Sequence, residues 1–220
     1  MNRSVDIFGG LDQATRAEIE QSLAYQTYSS GQTLFAPHDH GEQIFILRVG
    51  RVRVYKLSAE GRILTLMLLE PLTIFGEMAL VGPGRYDTFA ETMSECEIGT
   101  IARTRLQRII ERHPQVTITL MELMGRRLRA MERKLADIAF KSVPQRLASV
   151  LLNLTVLPSP QAETRPVVVR YTHQQLAEMV GSYRETVTKA LGDMREAGMI
   201  QVEDDTIILT DLTQLQELTR

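Results

Sequence analysis

Residues 181–200 read GSYRETVTKALGDMREAGMI, and the organisation of the whole chain can be worked out from them. Gly181 interrupts an apolar helical run, and a residue without a Cβ suits a sharp exit from a helix. Ser182 and Glu185 have capping-box spacing, which predicts a second helix starting behind the turn and stopping at Gly198. At about 100° per residue, Val187, Ala190, Leu191, Met194 and Ala197 share one arc, which is expected to pack inward. Arg184, Glu185, Thr188, Lys189 and Arg195 fall on the opposite arc, with Gly192 among them.

Upstream, Thr172 and Gln175 repeat the capping-box spacing and predict a helix through Val180. Two short helices around a tight Gly turn make a helix-turn-helix candidate. Ile200-Gln201-Val202 and Ile207-Ile208-Leu209, around Asp204-Asp205, then read as a wing hairpin that ends the chain. Arg184 lies in the first turn of the second helix, where a recognition helix meets base edges. An Arg there can donate bidentately to guanine, and a Glu can accept from cytosine N4. Phosphates repel a carboxylate, so Glu185 beside Arg184 suits a face that reads bases. Glu185 also fits a purely capping role, and a charged arc also fits a solvated face. Ser182 and Thr172, at the two helix starts, join Arg184, Glu185, Thr188 and Lys189 as candidate DNA contacts.

Charge agrees locally rather than globally. The 220-residue chain has net charge -2, so bulk charge does not attract it to polyanions. Between Lys141 and Lys189, however, six Lys or Arg face three acids. Asp204-Asp205 at the wing tip would repel phosphates. The one cysteine, Cys96, excludes an internal disulfide and a four-Cys cluster, and reads as a buried thiol in a reducing cytoplasm. The opening MNRSVDIFGGLDQ has no apolar signal core, and no run reaches the roughly 20 apolar residues of a spanning helix. The expectation is a soluble cytoplasmic protein without a membrane segment.

Three zones follow. Residues 1–112, after an amphipathic opening from Leu11 to Leu23, carry short strand-like runs between Gly, Pro and acidic turns. Gln43–Leu47, Arg51–Tyr55 and Ile63–Leu68 are examples, with Ser58-Ala59-Glu60-Gly61 as a hairpin turn. Many such strands argue for a sandwich or barrel. Residues 113–140 turn helical. Met121, Met124, Leu128, Met131, Leu135 and Ile138 step by 3, 4, 3, 4 and 3, the a/d seam of a coiled coil. A stripe packing on its own domain is the alternative; the strict 3.5 period favours a partner helix and hence a homodimer. Residues 141–220 are helical again. Gln145–Leu154 reads as an amphipathic helix, and the Pro-bounded stretch 157–166 reads as a loop.

Arg184-Glu185-Thr186-Val187 followed by Lys189 resembles the recognition helix of the cyclic AMP receptor protein and FNR (CRP/FNR) family of bacterial transcription regulators. Phe75-Gly76-Glu77-Met78-Ala79-Leu80 resembles that family's effector-pocket signature, and Arg85-Tyr86-Asp87-Thr88 the Arg-containing segment after it. Ala139-Phe140, Arg146-Leu147-Ala148 and Leu151–Leu154 resemble the segment after the dimer helix. The resemblance implies an α+β fold: a jelly-roll, cyclic-nucleotide-binding-like sensor domain (1–112), a dimerisation helix (113–140) and a winged helix-turn-helix (141–220). It implies a homodimer on a palindromic operator in double-stranded DNA, recruiting or blocking RNA polymerase, with the loop 157–166 as a polymerase contact. Arg184, Glu185 and Lys189 match the type that reads TGTGA-like half-sites. Lys189 replaces the usual second Arg and lacks its planar fork.

The implied effector pocket comprises Gly76, Glu77, Arg85, Tyr86 and Met131. Where members that bind cyclic AMP have an Arg-Ser pair, this chain has Arg85-Tyr86, with a shorter spacing from Glu77. Where they offer Thr-Ser to the adenine, it has Met131-Glu132, and Met offers no polar partner to a purine amine. These departures argue against cyclic AMP. A single Cys excludes an iron–sulfur sensor. An unidentified small effector, or none, remains open, and no cofactor is implied. Two rivals are a cyclic-nucleotide-dependent regulator with a divergent pocket and, from His38, His40 and Glu42, a cupin-type metal enzyme. Glu42 stands too close to His40 for the cupin pattern, and His113 and His173 lie outside the β zone. No nucleophile–base set or phosphate-cradling loop is visible, so the chain reads as non-enzymatic, with no metal site.

Overall fold

The computed structural model describes residues 10–81, 84–155, 167–169, 171–203 and 206–219. The short alternating runs become β1 (Ala24–Tyr28), β2 (Thr33–Phe35), β3 (Gln43–Val49), β4 (Val52–Leu57), β5 (Ile63–Leu69), β6 (Thr73–Phe75), β7 (Phe89–Thr92) and β8 (Cys96–Ala102). They form two four-stranded sheets, ordered β1-β8-β3-β6 and β2-β7-β4-β5. This is the jelly-roll arrangement expected of residues 1–112.

The strand β3 shows how the sequence builds the layers. Phe45 and Leu47 point between the sheets, beside Phe35, Val52, Val54, Leu69 and Phe75. Ile44 and Ile46 point the other way, against Ile19 of α1 (Gln13–Gln21), Leu106 and Ile109 of α2 (Arg103–Arg112), and Val116 and Leu123 of α3 (Pro114–Phe140). A strand covered on both faces needs no polar alternation, which explains the unbroken apolar run Ile44–Leu47. Each such buried side chain contributes roughly 1.5–3 kcal/mol. The helix α2 lies inside the span read as strands. Its Leu106 and Ile109 are buried, but arginines surround them and mute the helical pattern. Glu18 ties α1 to the end of α2: its carboxylate accepts from Arg112 and meets His113 Nε2 at 3.0 Å.

The chain divides into two compact units. One holds Arg3–Lys56 together with Thr65–Met131; the other holds Leu57–Leu64 and the residues from Glu132 on, so the division falls inside α3. In the second unit α4 (Val143–Leu154) starts from a full capping box of Ser142 and Gln145. After β9 (Val167–Val169) come α5 (His173–Val180), α6 (Arg184–Glu196), β10 (Ile200–Glu203), β11 (Thr206–Leu209) and α7 (Leu212–Leu218). Leu147, Leu151, Leu176, Val187, Leu191, Met194, Leu209 and Leu215 are buried there. Lys134 of α3 donates to Met179 O of α5 at 3.0 Å, and burial pushes its ammonium down to about 8.

Two expectations for this unit need correction. The chain does not end in a hairpin: α7 follows, started by Asp211, whose side chain accepts from Gln214 N, and it packs on α4. The wing is also three-stranded, ordered β10-β11-β9. The loop 157–166 and the Asp204-Asp205 wing tip lie outside the described residues.

Candidate nucleic-acid interface

Thr172 starts α5 as its sequence spacing predicts. Its hydroxyl accepts from Gln175 N at 3.1 Å, and Gln175 Oε1 accepts from Thr172 N at 2.9 Å. Gly181 ends the helix with φ 69° and ψ 47°, a left-handed conformation that L side chains avoid. The N–H groups of Gly181 and Ser182 both donate to Ala177 O. Ser182 is thereby part of the C-terminal closure of α5, which overturns its expected role as cap of α6. Tyr183 holds the capping position instead, with no side-chain cap bond. Glu185 is freed from a capping box and stands exposed in the first turn.

In α6, Val187, Ala190, Leu191 and Met194 are buried, whereas Ala197, expected on the same arc, is exposed at the helix end. Arg184, Glu185, Thr188, Lys189 and Arg195 are exposed, and Gly192 is half-buried. The buried stripe therefore fixes the rotation of α6 and leaves Arg184, Glu185, Thr188 and Lys189 on one open face. Thr172 is exposed and Ser182 half-buried. Across the turn, Thr188 Oγ1 donates to Arg184 O at 2.9 Å and lies 2.9 Å from His173 Nδ1. Sequence reasoning did not select His173. Its only local signal is its place directly after the capping Thr172.

The implied effector residues lie in the jelly-roll unit. Gly76 has φ 76°, and a Cβ there would come within 3.0 Å of the Phe45 ring and 3.3 Å of the Tyr86 ring. Glu77 opens the short helix Glu77–Leu80. Its carboxylate lies 2.6 Å from Arg127 of α3, and both side chains are about nine-tenths buried, at 12% and 13% exposure. Arg127 also donates to Ile74 O at 2.5 Å. Arg127 was not among the residues selected from sequence. Tyr86 is buried, stacked on Phe35 at 3.9 Å between centroids, and its hydroxyl donates to Gln43 O at 2.5 Å. Burial pushes its phenol up to about 12. Arg85 is exposed and donates to His38 O at 3.0 Å. Met131 is half-buried. Cys96 is 1% exposed and its thiol donates to Arg51 O at 3.3 Å. Among the described residues, no three His, Cys, Asp or Glu side chains converge on a metal-sized site.

The stripe on α3 splits in two. Met121, Leu128 and Leu135 are 61–69% exposed, and Ile138 is exposed with them. Met124, expected in the same seam, is half-buried and packs on its own domain's core beside Leu123. No described helix is long and apolar enough to cross a membrane.

Comparisons with known proteins agree with this architecture. Residues 25–113 match the cyclic nucleotide-binding domain model, and residues 145–218 match the Crp-like helix-turn-helix domain model. The CRP-like cAMP-activated global transcriptional regulator of Mycobacterium tuberculosis is 30% identical over 97% of this chain and 96% of its own. The transcriptional regulator SdrP of Thermus thermophilus is 33% identical over 87% of this chain and 92% of its own. The fold is shared with the c-di-GMP responsive global regulator CLP of Xanthomonas campestris. That structure superposes with a TM-score of 0.80 at 23% identity, covering 91% of this chain and 100% of the other. With a jelly-roll, a long helix and a winged helix-turn-helix in this order, the chain belongs to the CRP/FNR family of transcription regulators.

Proposed function

We propose that this regulator acts as a homodimer in the cytoplasm, inserting one α6 from each protomer into the major groove of a palindromic operator with TGTGA-like half-sites. It contacts RNA polymerase from that operator and binds it without cyclic AMP. The observation that carries the DNA reading is the open face of Arg184, Glu185 and Lys189, held in place by the buried Val187, Ala190, Leu191 and Met194. A face built only for phosphates has no use for Glu185, whereas Arg and Glu together suit guanine and cytosine edges.

Independence from cyclic AMP rests on the sensor domain. The Glu77 carboxylate is held by Arg127, and Tyr86 is committed to Phe35 and Gln43 O rather than to a ligand phosphate. The rival reading, a cyclic-AMP-dependent regulator with a divergent pocket, is favoured by the name of the mycobacterial relative. The name of the Xanthomonas structure carries a different nucleotide, so an effector does not follow from the fold.

The test is fluorescence anisotropy at fixed salt, on a duplex with two inverted TGTGA half-sites and on a scrambled control, with and without cyclic AMP. Selective binding in both tubes is the expected result. Binding only with the nucleotide would establish the rival reading. Arg184→Ala is expected to cost about 1–3 kcal/mol on the specific duplex and to flatten discrimination at one base pair. An equal loss on both duplexes would make Arg184 a phosphate contact.

A further inference from the structure

We infer that Lys134 is a positioning residue for DNA: it pins the helix-turn-helix to α3 and so sets the half-site spacing that the dimer accepts. The inference rests on the homodimer and palindrome of the proposed function. The last four C=O groups of a helix have no partner within it. At the end of α5, Ala177 O is taken by the N–H groups of Gly181 and Ser182. Met179 O is taken from another helix, by Lys134 Nζ at 3.0 Å. An ammonium suits that end of a helix, where the backbone dipole is negative.

The bond lies where a small rotation matters. Met179 stands two residues before Gly181, the turn that aims α6, and five before Arg184. Lys134 is half-buried. Burial lowers the pKa of its ammonium to about 8, although the Asp137 carboxylate pulls the other way. A desolvated donor holds its acceptor more tightly than one bathed in water. The next residue, Leu135, is 69% exposed, in the stripe proposed to meet a partner α3. One residue of α3 thus faces the helix-turn-helix, and its neighbour faces the second protomer.

A second attachment is what makes this mounting rigid. The helix α3 ends at Phe140 and α4 begins at Val143, so Lys141 and Ser142 form the joint. Lys141 pairs back to Asp137 at 2.8 Å, and Ser142 caps α4. A joint of two residues can absorb a swing in its φ and ψ angles. Lys134 lies six residues before Phe140, about 9 Å along the axis at 1.5 Å per residue. Pinned at two points that far apart, α5 and α6 cannot swing about the joint. Lys134, the joint and α4–α6 all belong to one compact unit. Half-site spacing tests such a mounting directly, because one added base pair moves a half-site by about 3.4 Å and turns it by about 34°.

The experiment measures affinity of the full chain by anisotropy at fixed salt, on half-sites taken from an operator selected from random DNA. The duplexes carry one half-site, or two at the best spacing, one base pair closer and one base pair farther. Wild type is expected to prefer the best palindrome over the single half-site by about 100-fold, and to lose about tenfold on either altered spacing. Lys134→Met keeps the aliphatic stem and drops the donor. It should bind the single half-site as wild type does and accept all three spacings almost equally. Lys134→Gln, too short to reach Met179 O, should behave in the same way. Sedimentation at the assay concentrations should find both variants dimeric. A wild-type spacing profile in both variants would overturn the inference and leave the palindrome reading intact. An equal loss on half-site and palindromes would overturn it too, making Lys134 a stabiliser of the helix-turn-helix alone. Monomeric variants would overturn it because the loss would then run through assembly. Wild type that gains nothing from a second half-site would overturn the homodimer reading along with it.

Discussion

At the scale of single residues, the side chains that matter are polar groups whose partners lie far away in the chain. Glu77 and Arg127 form a nearly buried ion pair. Such a pair adds little net stability, because desolvation cancels most of its attraction, yet removing one partner strands a charge and costs about 3–5 kcal/mol. Arg127 also donates to Ile74 O, so its loss removes that hydrogen bond as well. Glu77→Gln and Arg127→Met are each expected to lower stability in urea by about 3–5 kcal/mol. The double variant should fall short of the sum by about 2 kcal/mol, as coupled groups do. Strict additivity would show that the two charges do not sense one another. The same pair engages the acid of the effector-signature segment with the protein's own Arg127.

At the scale of elements, α5 and α6 set apart one threonine and one serine that look alike in sequence. Thr172 makes both bonds of a capping box, so Thr172→Ala should cost about 1 kcal/mol in thermal or urea melts. Ser182 caps nothing with its side chain, so Ser182→Ala should stay within about 0.5 kcal/mol. Equal losses would mean that the closure of α5 and the start of α6 share one cap. This contrast also shows what was legible. Elements with strong local signals, such as the apolar run of β3, the alternation of β4, the cap of α5 and the buried stripe of α6, were readable because the signal lies within the element. Ser182 was misassigned because two motifs compete for one residue, and only the left-handed Gly181 decides between them. Met124 packs on its own domain's core, and 3.5- and 3.6-residue periods diverge by only about 20° per heptad, too little to tell a residue facing that core from one facing a partner helix over this length. The arginine-rich α2 carries few apolar residues, and α7 spans only seven residues, Leu212–Leu218, too short for its leucines to establish a period. The contacts His173–Thr188 and Glu77–Arg127 join residues whose types were visible and whose pairing was not.

At the scale of the whole molecule, the exposed apolar stripe of α3 bears on the proposed homodimer. Met121, Leu128 and Leu135 recur at heptad spacing and are 61–69% exposed, and Phe140 is 87% exposed. A parallel pair of such helices about a two-fold axis brings each residue near its own copy. Apolar copies then bury one another, whereas Leu128→Glu would set two carboxylates side by side in an apolar seam. Wild type is therefore expected to sediment as a dimer, and its Tm should rise with protein concentration, as mass action requires of a state stabilised by association. Leu128→Glu should sediment as a monomer with a Tm independent of concentration. The effect should reach DNA as well. Two recognition helices held about 34 Å apart engage two half-sites at once, and the second binding event benefits from a high effective concentration. The variant should lose most of its advantage for the palindrome over a single half-site while binding the half-site itself as wild type does. A variant that remains a dimer would place the interface on another surface. A monomer that kept the palindrome preference would show that the two α6 helices find their half-sites without α3 joining them.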